Sequence, residues 1–130
     1  FISVKDRDKP AAIDLARRLQ GMGFKLIATG GTQRFLAEQG LEVERVNKVL
    51  EGRPHCEDAI VNGDVHLVIN TTEGAQAITD SYSIRRSAVT NNVPHYTTMA
   101  AAHAAADGIE AVKSAGLEVA PLQAYFETSY

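Results

Sequence analysis

The chain has 130 residues, 45% of them hydrophobic and 22% charged, with a net charge of -3 at pH 7. This length suits a single domain, and the acidic balance excludes a nucleic-acid surface built on bulk positive charge. We therefore expect no nucleic-acid partner. No apolar run reaches membrane-spanning length, so we expect no membrane partner either. The single cysteine, Cys56, excludes an internal disulfide and suits a reducing compartment, for which we expect the cytoplasm.

The first third of the chain alternates between strand-like and helix-like runs. FISV (1–4), KLIAT (25–29) and LEVERV (41–46) predict strands, the last with the alternation of an edge strand. Between them, apolar residues at helical spacing predict one helix with Pro10 in its first turn and a second helix after a glycine pair. We expect the chain, which starts inside a strand-like run, to be one domain (1–130) of a longer polypeptide.

The remainder continues the alternation. VHLVIN (65–70) predicts a strand buried on both faces, because it is apolar throughout. Strand, helix, strand, repeated, implies an α/β fold with a parallel sheet covered by helices on both faces. The other expected segments are polar loops at 47–57 and 71–80, helices at 58–62, 83–91 and 99–115, and a strand at 93–97.

Polar residues cluster where the predicted strands end, and ligands of open parallel sheets bind at those ends. Backbone N–H groups at the glycine pair, opening a helix, favour an anion. The two lysines add the charge that a phosphate needs, and hydroxyl and amide groups add donors, so we predict a site for a phosphate monoester. Its candidate residues are Lys9, Thr29, Gly30, Gly31, Thr32, Lys48, Asn70 and Thr72.

Four motifs together carry a resemblance to a known family. ATGGT (28–32), VNKVLEGRPH (46–55), VINTTEG (68–74) and IRRSA (84–88) resemble the C-terminal regulatory domain of carbamoyl-phosphate synthase large chains. That domain is a member of the methylglyoxal synthase-like superfamily, and the resemblance covers residues 3 to about 98. It implies a Rossmann-like, three-layer fold with a five-stranded parallel sheet of order 3-2-1-4-5.

The resemblance also implies a function. The family domain is the allosteric part of an ATP- and Mg-dependent, glutamine-hydrolysing ligase that supplies carbamoyl phosphate for pyrimidine and arginine synthesis. It binds UMP as inhibitor or IMP as activator, and it holds no cofactor or metal of its own. The implied partners are the catalytic remainder of the large chain, the small glutamine amidotransferase subunit and further copies of the protein. The family's effector residues fall on Lys9, Thr29, Thr32, Lys48, Asn70 and Thr72, with Ser81 near the ribose or base.

Ornithine sensing is left open by the resemblance. Family members that respond to ornithine carry Tyr-Asp-Thr after the fifth strand. This chain has His95, Tyr96 and Thr97 there, so Thr97 is the matching candidate for an ornithine or interdomain contact.

Three other functions compete with regulation. A methylglyoxal synthase-like phosphate lyase needs a carboxylate base and a polarising histidine, but Lys5 takes the histidine position and Arg53 the position of the base. The purine-pathway cyclohydrolase has a longer, lysine-containing loop after its third strand. A purely structural oligomerisation domain would bind no nucleotide. We therefore expect a non-catalytic, regulatory domain.

Overall fold

A computed structural model describes residues 1–48, 55–73 and 75–114. The strands are β1 (Ile2–Ser3), β2 (Leu26–Ala28), β3 (Val43–Arg45), β4 (Val68–Asn70) and β5 (His95–Tyr96). The helices are α1 (Lys9–Gly21), α2 (Gly30–Glu38), α3 (Cys56–Val61), α4 (Ala75–Thr90) and α5 (Met99–Ser114), and a short 3-10 turn at Asp6–Asp8 precedes α1.

All five strands form one parallel sheet in the order β3-β2-β1-β4-β5, which confirms the predicted topology. Helix α1 packs against α2 and α5, whereas α3 packs against α4. Right-handed crossovers explain why α1 and α2 lie opposite α3 and α4, because the chain moves from β1 to β3 through the first pair and back from β3 to β5 through the second. The result is the expected three-layer α/β fold.

Two apolar clusters fill the spaces above and below the sheet. The first joins β1 and β2 to α1 and α5 through residues such as Ile2, Leu15 and Ile109, each at most 2% exposed. The second contains Cys56 and Ile60 of α3 together with Val68 and Ala88. Cys56 is buried and forms no disulfide, as a single cysteine predicts.

The predicted helix boundaries are confirmed where glycine and proline set them. Pro10 lies in the first turn of α1, where its missing N–H breaks no helical hydrogen bond. Gly23 follows α1 with φ of 96°, and Gly40 follows α2 with φ of 85°. Both are left-handed conformations that end a helix and that glycine adopts at low cost.

Three predicted segments are corrected. The glycine pair does not precede its helix: Thr29 is the N-cap with extended backbone, and Gly30 and Gly31 form the first turn of α2. Helix α3 begins at Cys56, two residues before the predicted start. Helix α4 begins at Ala75, so most of the predicted polar loop 71–80 is helical. Its polar residues hid the helix, because they interrupt the apolar repeat.

Candidate functional site

Because the sheet is wholly parallel, all five strands end at one edge, which we call the carboxyl rim. It comprises residues 4–9, 29–32, 46–48, 71–73 and 97. The residues that follow each strand are therefore brought to the same side of the molecule, as the sequence predicted. The predicted residues Lys9, Thr29, Gly30, Gly31, Thr32, Lys48 and Thr72 all lie on this rim, and Asn70 closes β4 beneath it.

Three threonine hydroxyls tie the rim to the end of β1. The hydroxyl of Thr29 donates to Oγ of Ser3 at 2.8 Å. Oγ1 of Thr32 accepts from the backbone N–H of Val4 at 3.2 Å, and Oγ1 of Thr71 accepts from the N–H of Lys5 at 3.0 Å. Thr29 and Thr32 are 2% and 3% exposed, so these bonds fix the first turn of α2 against the central strand. A hydroxyl that accepts in this way can still donate its own proton.

The Lys9 ammonium lies beside the glycine pair. A Cβ atom built on Gly31 would lie 3.5 Å from Nζ of Lys9. The lysine side chain is 19% exposed, and Nζ donates to Oδ1 of Asp6 at 2.6 Å. This hydrogen bond, and then the charge of the ammonium, lower the pKa of the Asp6 carboxyl. A cation is thus held at the N-terminus of a helix, where backbone N–H groups also point outward.

Asn70 supplies a buried donor beneath the rim. It is 2% exposed, and its Nδ2 atom has no hydrogen-bond partner among the described residues. The register pairs Asn70 with Ser3, whose hydroxyl accepts from Thr29, so the three side chains share one face of the sheet. A buried amide without a partner is costly, and a ligand oxygen would satisfy it.

The other predicted residues differ in how they lie relative to this arrangement. Lys48 is exposed and follows β3, next to a backbone bridge that joins Asn47 to His55. Thr72 is half-buried on the rim. Ser81 is buried but lies six residues into α4, which is about 9 Å along the helix axis at 1.5 Å per residue. Ser81 therefore lies farther from the strand ends than the residues that we predict to bind the phosphate.

Thr97 is exposed after β5, at the end of the rim beyond β4. Its neighbour Thr98 caps α5, because Oγ1 of Thr98 accepts from the N–H of Ala101 at 3.1 Å. Thr97 is thus separated from the glycine pair by β1 and β4. The Glu51-Gly52-Arg53 segment, to which we assigned the missing catalytic base, lies outside the described residues, as do Gly74 and the aromatic C-terminal segment.

One basic residue at this site was missed from the sequence. A Cβ atom built on Gly30 would lie 3.2 Å from Nε and 3.4 Å from Nη2 of Arg45. The alternation of LEVERV held the necessary signal, because it places Arg45 on the same face as buried Val43 and at the strand's last position. We read that alternation as evidence for an edge strand alone.

A cavity of about 990 Å³ lies away from the predicted site. It is lined at the strand beginnings by Phe1, Phe24 and Leu67, and it extends to Arg45 and Asn47. None of the predicted effector residues lines it. We place the candidate site at the rim and not in this cavity, because the rim combines a helix N-terminus, a lysine and a buried amide without a partner.

Within the described ranges, no group of three or more His, Cys, Asp or Glu side chains is arranged to hold a metal ion. Among those same residues, no helix has the length and apolarity needed to cross a bilayer.

The comparison with protein families decides the identity of the fold. The model of the MGS-like domain matches residues 11–97. The chain belongs to the MGS-like domain family. A crystal structure of methylglyoxal synthase from Elizabethkingia anophelis NUHP1 superposes with a TM-score of 0.65 at 25% identity, covering 80% of this chain and 74% of that one.

Sequence relatives of this MGS-like domain are carbamoyl phosphate synthases. It is 59% identical over 128 residues to the carbamoyl phosphate synthase large chain of Rhizobium meliloti (strain 1021), covering 98% of this chain and 11% of that protein. It is 48% identical to the separate C-terminal section of the large chain of Aquifex aeolicus (strain VF5), covering 95% and 24% respectively. The chain thus spans about a tenth of the full-length relative and about a quarter of the separate C-terminal section.

Proposed function

We propose that this MGS-like domain is the allosteric regulatory part of a carbamoyl phosphate synthase large chain and binds a nucleoside monophosphate, UMP or IMP, at the carboxyl rim. The observation that carries the proposal is the convergence of Lys9 and the α2 N-terminus at Gly31, with the unpartnered amide of Asn70 beneath them. Together they present an ammonium group, helical N–H groups and an amide donor to one anion.

In this proposal the phosphate binds against Gly30 and Gly31, and Thr32, Lys48 and Thr72 contribute further donors. The ribose and base extend toward α4 and Ser81. Thr29 acts mainly by holding the turn, because its hydroxyl donates to Ser3. Thr97 contacts either ornithine or another domain of the large chain.

Regulation follows if the nucleotide binds two states of the whole enzyme with different affinity. UMP and IMP would compete for one site and stabilise opposite states. The catalytic remainder of the large chain, the glutamine amidotransferase subunit and other copies of the protein are the proposed partners, in the cytoplasm. ATP and Mg belong to the catalytic remainder, whose product feeds pyrimidine and arginine synthesis.

Calorimetric titration of the chain with UMP, IMP and AMP tests the proposal, with uridine and inosine as matched ligands that lack the phosphate. We expect heat with at least one of the first two monophosphates and almost none with its nucleoside. Equal affinity for a nucleotide and its nucleoside would contradict the proposed phosphate site. If no nucleotide binds, a structural oligomerisation role is favoured instead. An ornithine titration tests the role of Thr97.

The structural similarity to a methylglyoxal synthase makes lyase activity the second candidate. It is tested by phosphate release from dihydroxyacetone phosphate. We expect none, because Lys5 takes the position of the polarising histidine and Arg53 that of the carboxylate base. Release at a rate proportional to protein concentration would establish an enzyme and replace the regulatory proposal.

A further inference from the structure

The guanidinium group of Arg45 lies across the first residue of α2. Its Nε and Nη2 atoms would be 3.2 and 3.4 Å from a Cβ at Gly30, whereas Nζ of Lys9 would be 3.5 Å from a Cβ at Gly31. Arg45 comes from the edge strand β3, and Lys9 comes from the first turn of α1. Two cations from separate elements therefore flank consecutive glycines.

This arrangement concentrates positive charge at the start of one helix. The N-terminus of a helix carries a partial positive charge, and two cationic side chains close to it repel that charge and each other. An anion placed among them is attracted by all three. The buried, unpartnered Nδ2 of Asn70 points independently to a ligand at this edge of the sheet.

We propose that Arg45 is a further cationic ligand of the phosphate at this site, and that position 30 is glycine so that the guanidinium can lie across the helix start. This inference rests on the proposed nucleotide site and adds a residue that sets its affinity. Arg45 can present two N–H groups to one phosphate, which a lysine cannot do.

The two glycines provide a matched pair of variants. At Gly30 an added methyl group is tighter than ordinary packing and requires the guanidinium to move, while at Gly31 it makes an ordinary van der Waals contact with Nζ of Lys9. Both residues lie in the first helical turn, so alanine is compatible with the backbone and raises helix propensity at both positions. Differences between Gly30→Ala and Gly31→Ala therefore report the displacement of Arg45.

UMP titrations of the 130-residue chain test the inference with Arg45→Gln, Gly30→Ala, Gly31→Ala and each glycine variant combined with Arg45→Gln. Arg17→Gln is the control for loss of one charge, because Arg17 is exposed on α1 and donates to the Gln39 carbonyl at 3.3 Å. Inorganic phosphate serves as a second ligand without ribose or base. Thermal melting establishes that each variant is folded.

We expect Arg45→Gln to weaken UMP and phosphate binding roughly fivefold to twentyfold, the loss of a charge-assisted contact at an exposed position. Gly30→Ala should weaken binding in the parent chain and have no further effect once Arg45 is removed, whereas any effect of Gly31→Ala should be the same with and without Arg45. Arg17→Gln should change affinity less than about twofold.

Unchanged affinity in Arg45→Gln, or an equal effect of Gly30→Ala with and without Arg45, would overturn the inference. If Lys9→Gln still weakens binding in that case, the proposed nucleotide site stands without Arg45. If the parent chain binds neither UMP nor phosphate, the proposed function itself fails, and the inference fails with it.

Discussion

The Nζ atom of Lys9 donates to Oδ1 of Asp6 at 2.6 Å, while Asp6 itself is 93% exposed. Asp6 therefore competes with any phosphate for the same ammonium group. We predict that Lys9→Gln weakens UMP binding roughly fivefold to twentyfold. Asp6→Asn should strengthen it, by less than about fivefold because exposed ion pairs are weak. Calorimetric titration measures both. Stronger binding in Lys9→Gln would show that the ammonium faces no anion.

The pair of Lys9 and Asp6 also predicts a change in the pKa of Asp6, which can be followed without measuring the affinity for UMP. The hydrogen bond from Lys9 and its charge hold the pKa of Asp6 below 3.8. Carboxyl NMR titration should show this pKa rising in Lys9→Gln, and also on saturation with UMP if the ammonium turns to the phosphate. In stability terms, the pairing contributes above the unfolded-state pKa and is lost as pH falls through the folded-state pKa. A UMP-saturated value equal to the ligand-free value would place the phosphate away from Lys9.

Asn70→Asp should abolish nucleotide binding. The change conserves shape but places a carboxylate where the site offers an unpartnered amide at 2% exposure. A carboxylate near a phosphate repels it, so we expect a loss in affinity of at least about a hundredfold. Asn62→Asp is the control, because it adds the same charge at the C-cap of α3, where the helix runs away from the rim. Titration with UMP reads out both, and equal losses would point to net charge instead.

Thr32→Val should destabilise the fold. It leaves the N–H of Val4, a residue 7% exposed, without its acceptor. Losing the partner of a buried donor costs about 1–3 kcal/mol in the free energy of unfolding. Urea denaturation measures this, with Thr90→Val on the exposed side of α4 as control. Equal stability of the two variants would mean that the Thr32 hydroxyl serves the ligand and not the fold.

His95 should make stability fall in mild acid. Burial, and then the charge of Arg85, lower its pKa below the ordinary 6.5. The unfolded chain therefore binds the proton more readily, and the free energy of unfolding decreases as pH falls through 6.5 toward the folded-state pKa. His95→Gln should flatten this slope between about pH 7 and 5. Arg85→Gln should raise the pKa of His95 in an NMR titration.

The sheet was predictable because each strand ends in a recognisable way. Apolar runs followed by polar residues located β1, β2 and β4, and alternation placed β3 at the edge. The lengths were overestimated: VHLVIN contributes Val68–Asn70 to the sheet. Hydrophobicity reports burial along a segment, whereas strand length depends on where the neighbouring strands offer hydrogen bonds.

The site was predictable in its position and less so in its detailed chemistry. Parallel topology alone brings Lys9 to the glycine pair. No sequence pattern shows that the Thr29 hydroxyl donates to Ser3, because that contact depends on strand register. Thr71 also differs from expectation: it is buried and accepts from Lys5, whereas the predicted Thr72 is half-buried. Which of two adjacent threonines faces inward depends on the exit angle of β4.

The bonds from Val4 to Thr32 and from Lys5 to Thr71 have a kinetic consequence. Both amides lie beyond the last residue of β1, so exchange with deuterated solvent requires the loops after β2 and β4 to move away. Their exchange rates therefore report loop opening on either side of the central strand. A molecule that binds both loops should slow these two rates together without contacting either amide.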